Sequence, residues 1–180
     1  MTSNSARVGK LALIFALVAA LVYSPDPASS HRADRINGHK AGPIRSGKTT
    51  LKRAEKWFGP ADAVKRVVVG CDVRLKRAKW KGRLVVFFGR GSRGTATESR
   101  ILRRTVRSTV HGDVTVHTRK GLRVGDSRRK LKRLYPKAGK YRHRGKDWYI
   151  LRSSPSYGRL EAAIEARRVT LLRSAPWEYC

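Results

Sequence analysis

Acidic residues are scarce in this chain. Of 180 residues only 12 are Asp or Glu against 42 Lys or Arg, a formal net charge of +30. Partners of the same sign are thereby disfavoured, and any long-range attraction is towards anions. Hydrophobic runs long enough to cross a bilayer are absent too: the longest, Leu11 to Tyr23, has thirteen residues and is followed by Pro25 and Pro27, whereas a spanning helix needs roughly 20. No GxSxG elbow, no Ser, His and Asp arrangement and no paired carboxylates of the glycosidase kind stand out, because the few acids are scattered or lie beside bases. No catalytic residue, cofactor or metal is assigned on these grounds.

Arg7 and Lys10 precede the apolar run, and Ala28, Ser29 and Ser30 supply small residues after it. Residues 1–30 are therefore read as a cleavable secretory signal, with cleavage after Ser30 and a secreted, extracytoplasmic destination. No cysteine closes the apolar run, so a lipid anchor is not expected, and no permanent membrane span remains after cleavage. The signal carries two bases and one acid, so the mature net charge falls only from +30 to +29. Cys71 and Cys180 are the two cysteines, and an oxidising compartment favours their pairing. Such a bridge would constrain the unfolded chain by up to about 4.7 kcal/mol. Two free thiols, or an intermolecular bridge through Cys180, are the alternatives.

What is present is an internal echo. Ile44, Arg45, Ser46, Gly47, Lys48 and Thr49 are matched by Leu122, Arg123, Val124, Gly125, Asp126 and Ser127, an offset of 78 residues. Leu51, Ala54, Trp57 and Phe58 then recur at helical spacing before Gly59 and Pro60, as Leu131, Leu134 and Tyr135 do before Pro136. Downstream, Gly82, Arg83, Leu84, Val86 and Phe88 match Gly158, Arg159, Leu160, Ala162 and Ile164 at an offset of 76. Val73 and Leu75 align with Tyr149 and Leu151 as an earlier strand. Final strands are expected near Ile101 to Val106 and Arg168 to Leu172. The expected fold is α+β: two tandem units, each a short helix followed by an antiparallel β-meander. Residues 31–41 form a flexible leader, 42–108 the first unit, 109–121 a connecting segment and 122–180 the second unit.

The glycine and small hydroxyl residue that open a short helix ending in Trp57, Phe58, Gly59 and Pro60, with strands around Trp80 and Leu84, resemble the small exported fold shared by the β-lactamase-inhibitor proteins and the SmpA/OmlA (BamE) lipoproteins. The resemblance covers Ile44 to Val106 and again Leu122 to Leu172. It implies a binding scaffold that grips another protein through its sheet face or loops, with no catalytic residues to transfer. The missing lipidated cysteine departs from the SmpA/OmlA pattern, and the positive charge supports no particular inhibitor target.

Several motifs compete with that reading. Gly42 to Thr49 matches the P-loop pattern literally, but no apolar strand precedes it, and the position of Lys48 is Asp126 in the second half. Gly89, Gly91 and Gly94 spell a dinucleotide fingerprint, yet the echo makes this stretch a hairpin tip at which Arg90 and Arg93 could meet an anion. His111, Asp113 and His117 share one side of an alternating strand without a fourth ligand. Lys79, Trp80 and Lys81, and Tyr141, Arg142, His143 and Arg144, interleave rings with cations, whereas Trp57, Trp148 and Tyr149 are expected in the core. Arg128, Arg129, Lys130, Lys132 and Arg133 make the second helix a basic ridge suited to an anionic partner. The leading expectation is an exported, non-enzymatic module that engages a protein or an anionic envelope component. A polyanion binder of cell-wall polymer, acidic lipid or nucleic acid through charge alone comes second, and a P-loop nucleotide-binding enzyme third.

Overall fold

A computed structural model describes residues 33–70, 72–80, 82–89, 94–109, 112–155 and 158–175. The expected secretory signal, Cys71, Cys180, Arg90, Arg93 and His111 lie outside the described residues. The chain runs through β1 (Ala33–Ile36), β2 (Lys40–Ala41), β3 (Ile44–Arg45), α1 (Leu51–Phe58), β4 (Ala63–Val69), β5 (Val73–Trp80), β6 (Leu84–Phe88) and β7 (Ala96–Ile101). It continues through β8 (Thr105–Ser108), β9 (Gly112–Thr118), α2 (Arg128–Leu134), β10 (Gly139–His143), β11 (Lys146–Ser154), β12 (Gly158–Glu165) and β13 (Arg168–Ala175).

Both helices begin at side-chain caps. The Thr50 hydroxyl accepts from the Arg53 amide, and the Ser127 hydroxyl from the Lys130 amide, which satisfies a donor that the first turn leaves free. Thr49, matched to Ser127 by sequence, is instead buried, and its hydroxyl accepts from the Arg45 amide at 2.9 Å. α1 stops at Gly59, whose φ of 79° suits glycine, and the Gly59 carbonyl accepts from the Trp80 indole at 2.9 Å.

Strands β4 to β7 and β10 to β13 are each joined by successive antiparallel hairpins, and β7 pairs antiparallel with β13 to give one eight-stranded sheet, β10-β11-β12-β13-β7-β6-β5-β4. A second sheet, β3-β2-β1-β9-β8, contains the parallel pair β1 and β9. The expected α+β fold of two tandem helix-and-meander units is therefore overturned. The protein is predominantly β: the two helices among the described residues have only eight and seven residues, the strand runs share a single sheet, and a second sheet helps to enclose the core. The expected leader contributes too, since Ala33 to Ile36 pair with Thr115 to Thr118. The strand expected from Ile101 to Val106 is two strands, because β7 ends at Ile101 and β8 begins at Thr105.

Alternation assigns the faces of the large sheet. Ala78, Trp80, Leu84, Val86, Phe88, Ile101, Tyr149, Leu160, Ala162 and Leu172 point inward. Ile36, Ile44, Val106, Val114 and Val116 of the small sheet, with Ala54 of α1 and Leu131 of α2, belong to the same core. Helices and small sheet thus cover one face of the large sheet, a layered solution for burying it. Truncating Leu172, fully buried where the two halves join, to alanine is expected to cost about 2–5 kcal/mol in denaturant unfolding. Val64→Ala, on the outer edge, should change stability by less than about 0.5 kcal/mol.

Candidate functional site on the open sheet face

The other face of the large sheet carries no second layer among the described residues. At one end Leu75, Val85 and Phe87 pack with Val67, Val69 and Leu102. At the other, Tyr141 stacks on Trp148 with ring centroids 6.2 Å apart. A groove of about 830 Å³ lies between, lined both by Val67, Val68 and Val69 of edge strand β4 and by Tyr141 and His143 of edge strand β10. The sheet therefore curls until its two edges flank one groove.

Its floor is charged. Glu98 on β7 and Glu161 on β12 are buried, which requires compensation for each carboxylate. Arg173 of β13 sits between them, donating from one guanidinium nitrogen to Glu161 Oε2 and from the other to Glu98 Oε2, both at 3.0 Å. Arg100 donates to Glu98, Arg159 donates to Glu161 Oε1 at 2.7 Å and the Tyr141 hydroxyl does so at 2.8 Å. The row extends through rings, with the Arg100 guanidinium 4.7 Å from the Phe87 centroid and that of Arg159 5.5 Å from Tyr141. Phe87, Arg100, Glu98, Arg173, Glu161, Arg159 and Tyr141 form one connected band across the sheet.

Burial on its own would lower the Arg173 pKa. The carboxylates of Glu98 and Glu161 outweigh it and raise that pKa, so the cation is held. For Tyr141, desolvation comes first, then the bond to Glu161 and its negative charge, and together they push the phenol up to about 12. Removing the phenolic proton would set a second negative charge against Glu161. The groove has donors left over: Arg77 Nε, Arg173 Nε and Trp148 Nε1 are buried with no acceptor among the described residues. Arg77, Arg144, Lys146 and His143 also line the groove, and Glu98 is the one acid of its lining among the described residues, so donors outnumber acceptors there.

No protein-family model matches the sequence, and no curated protein does. Among solved structures the chain is similar to a cysteine-rich secretory protein of Staphylococcus aureus subsp. aureus Mu50, at 13% identity and a TM-score of 0.39. The match covers 79% of this chain and 49% of that one, so the chain spans about half the length of that protein. The likeness is too distant to transfer a fold or a function.

The basic ridge expected on the second helix exists but lies across the sheet from the groove, since Leu131 of α2 enters the core. Lys130 pairs with Asp126 at 2.8 Å and Arg128 with Asp147 at 3.9 Å, while Arg129, Lys132 and Arg133 are exposed. Asp147 is held below the usual carboxylate range, first by its hydrogen bond from Lys140. Gly42 to Thr49 is no phosphate cradle: Gly42 and Pro43 turn the antiparallel hairpin of β2 and β3, and Lys48 is exposed. Gly89 and Gly94 lie in the connection between antiparallel β6 and β7. Trp80, read with Lys79 as a surface ring, is buried and bonded to Gly59. Trp148 is buried as expected but lines the groove, whereas its neighbour Tyr149 enters the core. His117 spends Nδ1 on the Thr118 carbonyl at 2.8 Å.

Glu98 and Glu161 escaped the sequence reading. Their signal was local, because Glu98 and Arg100, and Arg159 and Glu161, are two apart on strands and so share a face. Glu161→Ala should destabilise the fold by about 3–5 kcal/mol in urea, since it removes the buried carboxylate that Arg159, Arg173 and the Tyr141 hydroxyl share. The Tyr141 shift has a defined sign. Its folded pKa is raised above 10.0, so its contribution is complete below pH 10 and is lost as pH rises towards about 12. The stability difference between wild type and Tyr141→Phe is therefore expected to shrink across that window, and the variant's phenolate absorbance titration should lack the step near 12.

Proposed function

We propose that the chain is an exported, non-enzymatic binding module that engages another protein through the open face of its large sheet. The observation that carries this reading is the groove itself. Aromatic and arginine side chains are held there in fixed positions by buried carboxylates, and among the described residues its leftover donors find no acceptor and no other layer covers the face. Rigid aromatic and arginine anchors are the side chains that dominate protein interfaces. Export rests on the charged start, the apolar run from Leu11 to Tyr23 and the small residues before His31, and it sets the partner in the cell envelope or beyond. The resemblance to the inhibitor and lipoprotein scaffolds points the same way.

Electrostatic binding of a polyanion is the second reading, favoured by the exposed Arg129, Lys132 and Arg133 and by the net charge of +30. Salt separates the two. Polyanion binding falls steeply with ionic strength as counterions are released, whereas a docked interface persists. Cross-linking of the tagged chain to envelope proteins of its source, at low and at moderate salt, is expected to trap one saturable protein partner under both conditions. Arg77→Glu with Arg144→Glu should weaken that binding by tenfold or more, about 1.4 kcal/mol per tenfold. Triple replacement of Arg129, Lys132 and Arg133 by glutamine should leave it within about threefold. Binding that vanishes at moderate salt, and that the triple variant alone removes, would establish the polyanion reading instead.

A further inference from the structure

We propose that β4 is a docking edge, at which an extended acidic segment of another protein adds as a ninth strand to the large sheet. β4 ends that sheet, and its only strand partner among the described residues is β5. Its seven residues hold neither proline nor glycine, and the register with β5 runs without a bulge from Ala63 opposite Lys79 to Val69 opposite Val73. Bulges, prolines and short length normally blunt an open edge; here only the charges of Lys65 and Arg66 remain. Val64 and Val68 are 45% and 63% exposed, the largest exposures of any large hydrophobic side chain among the described residues.

Charge and shape select the occupant. Beside β4, a cleft of about 410 Å³ that shares Val67 and Val68 with the main groove is lined by the apolar Leu51, Val68 and Phe88 as its floor and by Arg66, Arg74 and Lys76 at its rim, with no acidic residue in its lining among the described residues. An added strand would lay alternate side chains over this cleft. Aliphatic groups fit the floor, and carboxylates fit the rim. Main-chain pairing would supply affinity and the side chains selectivity, as in other cases of strand addition. A second copy of the chain is the poorer occupant, because it would set Lys65 and Arg66 against the same cations, and like charges opposite one another destabilise a strand pair.

The probe is a labelled seven-residue peptide of valine, threonine and glutamate, free of proline, titrated into the full chain and followed by fluorescence anisotropy and hydrogen exchange. Saturable binding is expected, with slower exchange at β4 amides and no change at those of β10, the opposite edge. Val68→Asp and Arg74→Glu, both at exposed positions, should each weaken binding by about tenfold or more. A peptide of identical charge, N-methylated at alternate amides, should lose binding to a similar extent, because it cannot pair as a strand. Equal affinity for the N-methylated peptide would overturn strand addition. So would protection at β10 in place of β4, or self-association of the chain that protects β4 without any peptide.

Discussion

Arg100 and Arg173 stand directly opposite one another where β7 meets β13, and the large sheet depends on making that juxtaposition tolerable. Only three registered pairs join the two strands: Leu172 with Ile101, Arg173 with Arg100 and Ser174 with Ser99. Like charges in opposed positions destabilise a strand pair. Glu98, two residues before Arg100 and so on the same face, binds both arginines, and Glu161 takes the second arm of Arg173. An apolar seam of equal volume could be as stable, since buried ion pairs often only break even against hydrophobic packing. The ionic version differs in what it leaves on the surface. It makes a fixed row of guanidinium groups on an open face, where flexible lysines would not keep their positions.

That seam also determines where the remaining layers can go. Once β7 and β13 pair, both strand runs twist as one sheet with a common inner face, and a single cover must serve all eight strands. The helices are too short for this. The small sheet supplies the rest, and it is assembled from distant stretches, with β1 lying parallel to β9 some eighty residues further on. The turn before each helix is tied to the same construction. Gly47 donates to the Ala96 carbonyl and Gly125 to that of Val169, while the Ala96 and Val169 amides return to Thr49 and Asp126. Both glycines have positive φ, a conformation that costs glycine little. The P-loop-like spelling of the first turn therefore has a structural cause, since a glycine is needed where the chain is pinned to the last strand of its run.

Legibility followed the range of the interactions. Both helices were readable, because spacings of three and four residues ending at Gly59 or Pro136 are local signals, and so was the alternation from Leu84 to Phe88 and from Leu160 to Ile164. The small sheet was not. Ala33 to Ile36 has no apolar alternation, and its strand character comes from a partner that the local sequence does not name. The fold class was misjudged for the same reason, since local patterns show hairpins but not which hairpin edges meet. The groove was half legible. Tyr141, His143 and Arg144 stood out as rings among cations, but Glu98 and Glu161 read as ordinary acids beside bases. Only the joining of β7 to β13 brings them within reach of one arginine.

Scarcity of acid then has a consequence beyond net charge. Glu98 and Glu161 are spent in the sheet, and Asp34, Asp126, Asp147 and Glu165 are engaged with lysines, so few carboxylates remain to compete for the cations of the surface. Exposed charges more than about 8 Å apart are screened at physiological salt. The helix ridge can therefore raise the rate at which an anionic surface is met but does little to choose among anionic surfaces. Selection requires cations whose positions are fixed relative to one another and to apolar contacts. In this fold that condition holds where carboxylates are buried beneath arginines, on the open face, and not where bases are most numerous in sequence.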